Sequence, residues 1–89
     1  MLGSPIYMAP EVLRGEKYSM KADIWSLGVV FYRMLFGELP FAGSNLGELI
    51  LAIYQQEVVF PQHPFVSRHI LVLLQKMLVK DPEGRASWG

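Results

Sequence analysis

The chain has 89 residues, with eight Lys plus Arg balanced by eight Asp plus Glu and no cysteine. That length bounds it to one domain or a piece of one; zero net charge gives no electrostatic reason to seek nucleic acid or an anionic membrane; and without cysteine there are no disulfides or thiolate metal sites. Apolar residues other than glycine make up 52%, against about 45–50% in a typical domain with glycine counted, so this small chain is expected to own more apolar surface than it can hide. The first residues lack the basic region and apolar core of a signal peptide. The longest apolar run, "IWSLGVVFYRMLFG", is interrupted by Ser26, Gly28 and Arg33 and falls short of the roughly 20 residues a membrane span needs.

In chain order, residues 1–18 read as irregular. Pro5 and Pro10 hold the chain extended or turned, while Ile6, Tyr7 and Met8 between them read as buried. A short helical turn is predicted at Pro10–Leu13, with proline at a first helical position and Gly15 as the stop. Ser19 then reads as an N-cap and Asp23 as an early-turn acid near the positive helix end. The first clear helix runs from Met20 to Phe36, ended by Gly37 and Pro40. Apolar residues surround this cylinder on all sides, which predicts a central, buried helix. Gly28 costs such a helix roughly 1 kcal/mol relative to alanine, so close backbone packing is its expected reason.

"LPFAGSN" reads as a loop in which Ser44 or Asn45 caps a second helix from Leu46 to Gln55. "EVVFPQHP" reads as extended, and Ser67 caps a third helix, Arg68 to Val79. Its apolar stripe is Ile70, Leu74, Met77 and Leu78, widened by Leu71 and Leu73. Lys76 and Lys80, four apart, are placed on a solvated face of that helix. No strand pattern persists, so the fold class is all-α with long connections. The two histidines, His63 and His69, have no cysteine or helically spaced carboxylate beside them, and no metal site is expected.

These pieces resemble the protein kinases of the eukaryotic, serine/threonine type. "GSPIYMAPE" is similar to the end of the activation segment, with Ala9-Pro10-Glu11 as its A-P-E. "DIWSLGVVFYRMLFGELPF" is similar to the D-x-W-S-x-G helix of the C-lobe, and "MLVKDPEGRAS" to the closing D-P-x-x-R segment. The resemblance covers nearly the whole chain and implies the second half of a C-lobe: an irregular substrate-side loop, a central helix and two further helices. It implies that this segment forms the loop receiving the residue after the phosphorylated one, with Gly3, Ser4, Pro5 and Met8 at substrate-binding positions. It implies a buried ion pair between Glu11 and Arg85 that pins this segment to the helical base. Asp23 matches the acid that anchors the catalytic loop. Trp25 and Gly28 are scaffold positions, and the Trp25 indole N–H is expected to want a partner.

Other motifs of the family are not in the sequence: no G-x-G-x-x-G, V-A-I-K, H-R-D or D-F-G. No catalytic residue is therefore assigned. ATP and Mg²⁺ are implied for a full-length parent and not for this chain, whose N-lobe and catalytic loop are expected to be missing. Without that loop the Asp23 carboxylate is expected to be left unpaired, which is costly in a buried site, and the isolated chain to be of marginal stability. The implied partner is a protein or peptide substrate, in a cytoplasmic setting, with no nucleic acid and no membrane. The competing readings are a non-catalytic helical module that dimerises or docks a kinase, and a remnant without function.

Overall fold

The 3-10 turn and the three longer helices each start where a short polar side chain catches a free backbone amide, while the four-residue helix Pro10–Leu13 starts at Ala9 with proline in its first turn and no side-chain cap. Residues 4–62 and 65–87 are described by the computed structural model. Ser4 Oγ accepts from the Ile6 amide at 3.4 Å and opens a 3-10 turn, Pro5–Tyr7. A four-residue helix follows, α1 (Pro10–Leu13). Ser19 Oγ accepts from the Lys21 amide at 3.2 Å and opens the long helix α2 (Met20–Phe36). Gly37 closes α2 at φ 75°, in the left-handed region that favours glycine, and its amide returns to Arg33 O. Asn45, not Ser44, caps α3 (Leu46–Gln55), its Oδ1 accepting from the Glu48 amide at 2.9 Å. The Glu48 carboxylate reaches back to the Ser44 amide at 3.2 Å. Ser67 Oγ accepts from the Ile70 amide at 3.2 Å and opens α4 (Arg68–Met77). The described residues contain no strand, so the fold is all-α.

The core is built around Trp25, which is 0% exposed. Its ring stacks on Phe41, with centroids 5.9 Å apart and planes within 7°. Val29, Leu49, Ala52, Ile53 and Leu78 pack in the same cluster. Tyr32 extends it toward Phe36 and Phe60, and its hydroxyl donates to the Val59 carbonyl, which ties the extended stretch after α3 to the central helix. Glycine at position 28 allows α4 to approach α2. A Cβ there would meet Met77 Cβ and Leu78 Cδ2, each at 3.0 Å. Leu78 Cδ2 has a side chain's freedom to move, but Met77 Cβ moves only with its helix. Gly28→Ala should therefore cost about 1–2 kcal/mol despite alanine's helix propensity, read as a lower urea midpoint at unchanged m-value. A neutral or stabilising result would mean that the α2–α4 contact is looser than these distances.

Three sequence expectations are corrected. The central helix is not buried all round: Phe31 is exposed and Met34 is 74% exposed. With Leu35, Ile70, Leu73 and Leu74 they line an apolar recess of about 250 Å³ between α2 and α4. The stripe on α4 is correspondingly narrower, because Leu74, Met77 and Leu78 are buried while Ile70 and Leu73 are exposed. Finally, α4 stops at Met77 rather than Val79, with Leu78 capping it at φ −104° and ψ 31°. The break lets the chain turn so that Arg85 can enter the base of the molecule.

Candidate functional site

The segment before α1 is held by backbone and side-chain bonds together with partial packing of Ile6 and Tyr7 against the core. Ile6, Tyr7 and Met8 are only half-buried, and Ala9, Pro10 and Glu11 are the first buried residues. Ser26, inside α2, lies with its Oγ 2.6 Å from Tyr7 O and 3.1 Å from Ala22 O. Its hydroxyl proton is drawn toward a loop carbonyl that would otherwise lack a donor. A serine in the middle of an apolar helix was the available signal for this tie, since a buried hydroxyl needs a partner. Tyr7 is fixed at its other end by Arg33 Nη1, which donates to the phenol oxygen at 3.1 Å.

Glu11 and Arg85, at opposite ends of the sequence, meet in the base. Arg85 Nη1 and Nη2 donate to the two Glu11 carboxylate oxygens at 2.8 Å each. The remaining donors go to carbonyls: Nη1 to Lys21 O at 2.8 Å, Nη2 to Lys80 O at 3.2 Å and Nε to Val79 O at 2.8 Å. All five guanidinium N–H groups are thus used. Lys21 Nζ in turn donates to Arg85 O at 2.6 Å, and the guanidinium lies 5.2 Å from the centre of the Trp25 ring. One pair thereby joins α1, the start of α2 and the segment after α4.

Burial pushes the Glu11 carboxyl up, but the Arg85 hydrogen bonds and charge, together with a backbone bond, hold it below its ordinary value of 4.5. A depressed folded-state pKa means that the unfolded chain binds the proton more readily. This contribution is therefore fully present above about 4.5 and is lost as pH falls through the lower folded value. The thermal midpoint should fall as pH drops below that point, and Glu11→Gln should remove this part of the slope. An equal acid slope in the two proteins would assign it to other carboxylates.

The candidate substrate-side residues are arranged as follows. Ser4 is exposed and spends its oxygen on the Ile6 amide. Pro5 and Ile6 face Leu39, Phe41, Leu46 and Leu49 across a shallow recess of about 340 Å³. Met8 is half-buried and does not line that recess. Gly3 lies outside the described residues, as does His63.

Two charged residues differ from expectation. Asp23 is half-buried and is not left unpaired: it accepts from the Tyr18 hydroxyl, five residues earlier. The preceding loop thus supplies a local partner that reading the helix alone could not reveal. Lys80 is not on a helix and not on a solvated face. Its Nζ donates to the Ile53 carbonyl in the last turn of α3 and sits 4.3 Å from the centre of the Phe41 ring. Burial lowers its pKa from 10.5, opposed by the Glu57 charge. The signal for this inward lysine was its place after the helix end, where a long side chain can reach an unpaired carbonyl of another helix. Lys80→Ala should cost about 1–2 kcal/mol through the orphaned carbonyl and the lost cation–π contact, read by chemical denaturation. An effect below a few tenths would mean that water replaces the ammonium there.

Among the described residues no group of three or more His, Asp or Glu side chains could hold a metal ion. The two carboxylates nearest the loop are occupied, Glu11 by Arg85 and Asp23 by Tyr18.

Comparison with known proteins follows the same lines. The family described as "Protein kinase domain" matches residues 1–89. The chain is 42% identical over 87 residues to the human serine/threonine-protein kinase ULK3, which covers 97% of the chain and 18% of the relative. It is 43% identical over 90 residues to serine/threonine-protein kinase ATG1 of Sclerotinia sclerotiorum, covering 99% of the chain and 10% of the relative. Against ATG1 of Colletotrichum lindemuthianum the identity is 44% over 87 residues, covering 96% and 13%. The chain thus spans between 10% and 18% of the length of these relatives.

Proposed function

The chain belongs to the protein kinase domain family, and on that premise we propose that it is the substrate-side part of the C-lobe of a serine/threonine kinase. In the intact enzyme, which phosphorylates protein substrates with ATP and Mg²⁺, Gly3, Ser4, Pro5 and Met8 contact the substrate. Glu11, Arg85, Asp23, Trp25 and Gly28 carry the frame that holds them. The observation supporting this reading best is the anchoring of the loop at both ends, by Ser26 at Tyr7 O and by Arg85 at Glu11. An irregular segment fixed so rigidly is what a binding surface requires, because positioning supplies most of the catalysis in phosphoryl transfer. The chain by itself transfers no phosphate, since it holds neither the nucleotide-binding loop nor the catalytic loop.

Two measurements test this. Titration calorimetry of the chain with ATP and Mg²⁺ should give no saturable heat, and micromolar affinity would overturn the claim of inactivity. The full-length protein that carries this segment should phosphorylate serine or threonine in a peptide array, and strict tyrosine phosphorylation would overturn the class. The apolar recess between α2 and α4 favours the second reading, a helical module that pairs with another protein. Sedimentation of the chain would then give a defined dimer across concentrations rather than monomers and aggregates.

A further inference from the structure

Arg33 is a cation beside the substrate-side loop whose only hydrogen-bond partner among the described residues is a neutral group. It sits exposed in the last turn of α2. Its Nη1 donates to the Tyr7 hydroxyl at 3.1 Å, and the ion pairs among the described residues, Arg14–Glu16 and Arg85–Glu11, do not include it. A phenol accepts one hydrogen bond and offers no countercharge, so most of the guanidinium fork remains open for a carboxylate. Tyr7 follows directly on Pro5 and Ile6, which face the apolar recess bounded by Leu39, Phe41, Leu46 and Leu49. The carboxylate at the rim of that recess is already engaged, since Glu48 takes the Ser44 amide and the Asn45 side chain. Glu38, whose charge bears on the Tyr32 hydroxyl, forms no ion pair with Arg33.

We propose that Arg33 is a specificity determinant: it selects protein substrates carrying an acidic residue next to an apolar residue that fills the Pro5–Leu46 recess. The proposal rests on the substrate-side reading given above. The occupant is an extended segment of substrate, because the recess is shallow and open and suits one side chain rather than a helix. The acidic preference follows from charge complementarity, since a basic residue placed there would meet the guanidinium. In this proposal Arg33 acts on substrate choice alone.

The test is steady-state phosphorylation by the full-length protein, using peptides that share one apolar anchor and carry Glu, Gln or Lys at each flanking position in turn. At one flanking position, kcat/KM should favour Glu over Gln by about 3- to 5-fold, and the preference should fade at high salt, as an exposed ion pair does. Arg33→Glu should reverse the order between the Glu and Lys peptides, a ratio internal to one enzyme and independent of how much of it is folded. Equal use of Glu, Gln and Lys at every position would overturn the role of Arg33 while leaving the substrate-side reading intact. An acidic preference unchanged in Arg33→Glu would overturn it as well, by assigning the preference to another cation. Phosphorylation insensitive to the apolar anchor would remove the recess, and with it the substrate-side reading and this proposal together.

Discussion

Replacing Arg85 by alanine should destabilise the protein by about 3–5 kcal/mol, the usual cost of removing one partner from a buried ion pair. On a scale of about 0.05–0.15 kcal/mol per residue, a chain this long has only about 4–13 kcal/mol to lose. The arginine is 3% exposed, and with it go two bonds to Glu11 and three to backbone carbonyls. Glu11→Ala should cost less, because the three carbonyls still surround the cation, whereas Arg85→Ala leaves a carboxylate with nothing to neutralise it. The pH dependence separates the two further. In Arg85→Ala the largest influence left on Glu11 is burial, which raises its pKa against a backbone bond and the Arg14 charge; with the balance tipped upward, its contribution is present below about pH 4.5 and is lost as pH rises. The acid side of the stability curve should therefore change sign relative to the parent. Arg85→Lys should recover little, since one ammonium cannot reach a carboxylate and three carbonyls at once. Thermal and urea unfolding across pH 3 to 7 measures all of this. Additive, pH-independent losses of under about 1 kcal/mol in both variants would mean that the pair is solvated and does not pin the loop.

The helices were legible because their punctuation is local. Ser19, Gly37, Asn45 and Ser67 act within a few residues of themselves, and each stands in the structure where its chemistry places it. The Glu11–Arg85 contact was legible only through resemblance, because nothing local relates residues so far apart in sequence. What escaped was every feature set by the third dimension. Lys80 reads as solvated when it is counted along a helix, but the helix ends three residues earlier and its ammonium lands on the Ile53 carbonyl. Asp23 reads as orphaned when the catalytic loop is taken as its natural partner, yet Tyr18 reaches it from the preceding loop. The all-round apolar pattern of α2 correctly marked it as central. Periodicity cannot say which faces are covered, and the side bearing Met34 remains open.

Trp25 gives the second large effect, and it contains a contradiction that mutation can resolve. Its ring is fully buried, stacked on Phe41 and approached by the Arg85 guanidinium, so Trp25→Ala should cost about 3–5 kcal/mol through lost burial and the cavity left behind. Yet its Nε1 is buried with no hydrogen-bond partner among the described residues, which costs about 1–3 kcal/mol for a desolvated donor. Phenylalanine at 25 would keep an aromatic face against Phe41 and the cations while deleting that donor. The void created by the smaller ring and the relief of the unsatisfied N–H then act in opposite directions. Trp25→Phe should therefore cost less than half of what Trp25→Ala costs, read from urea midpoints at matching m-values. If instead the phenylalanine variant loses nearly as much as alanine, the indole N–H is contributing a bond and is not the unsatisfied donor it stands as among the described residues.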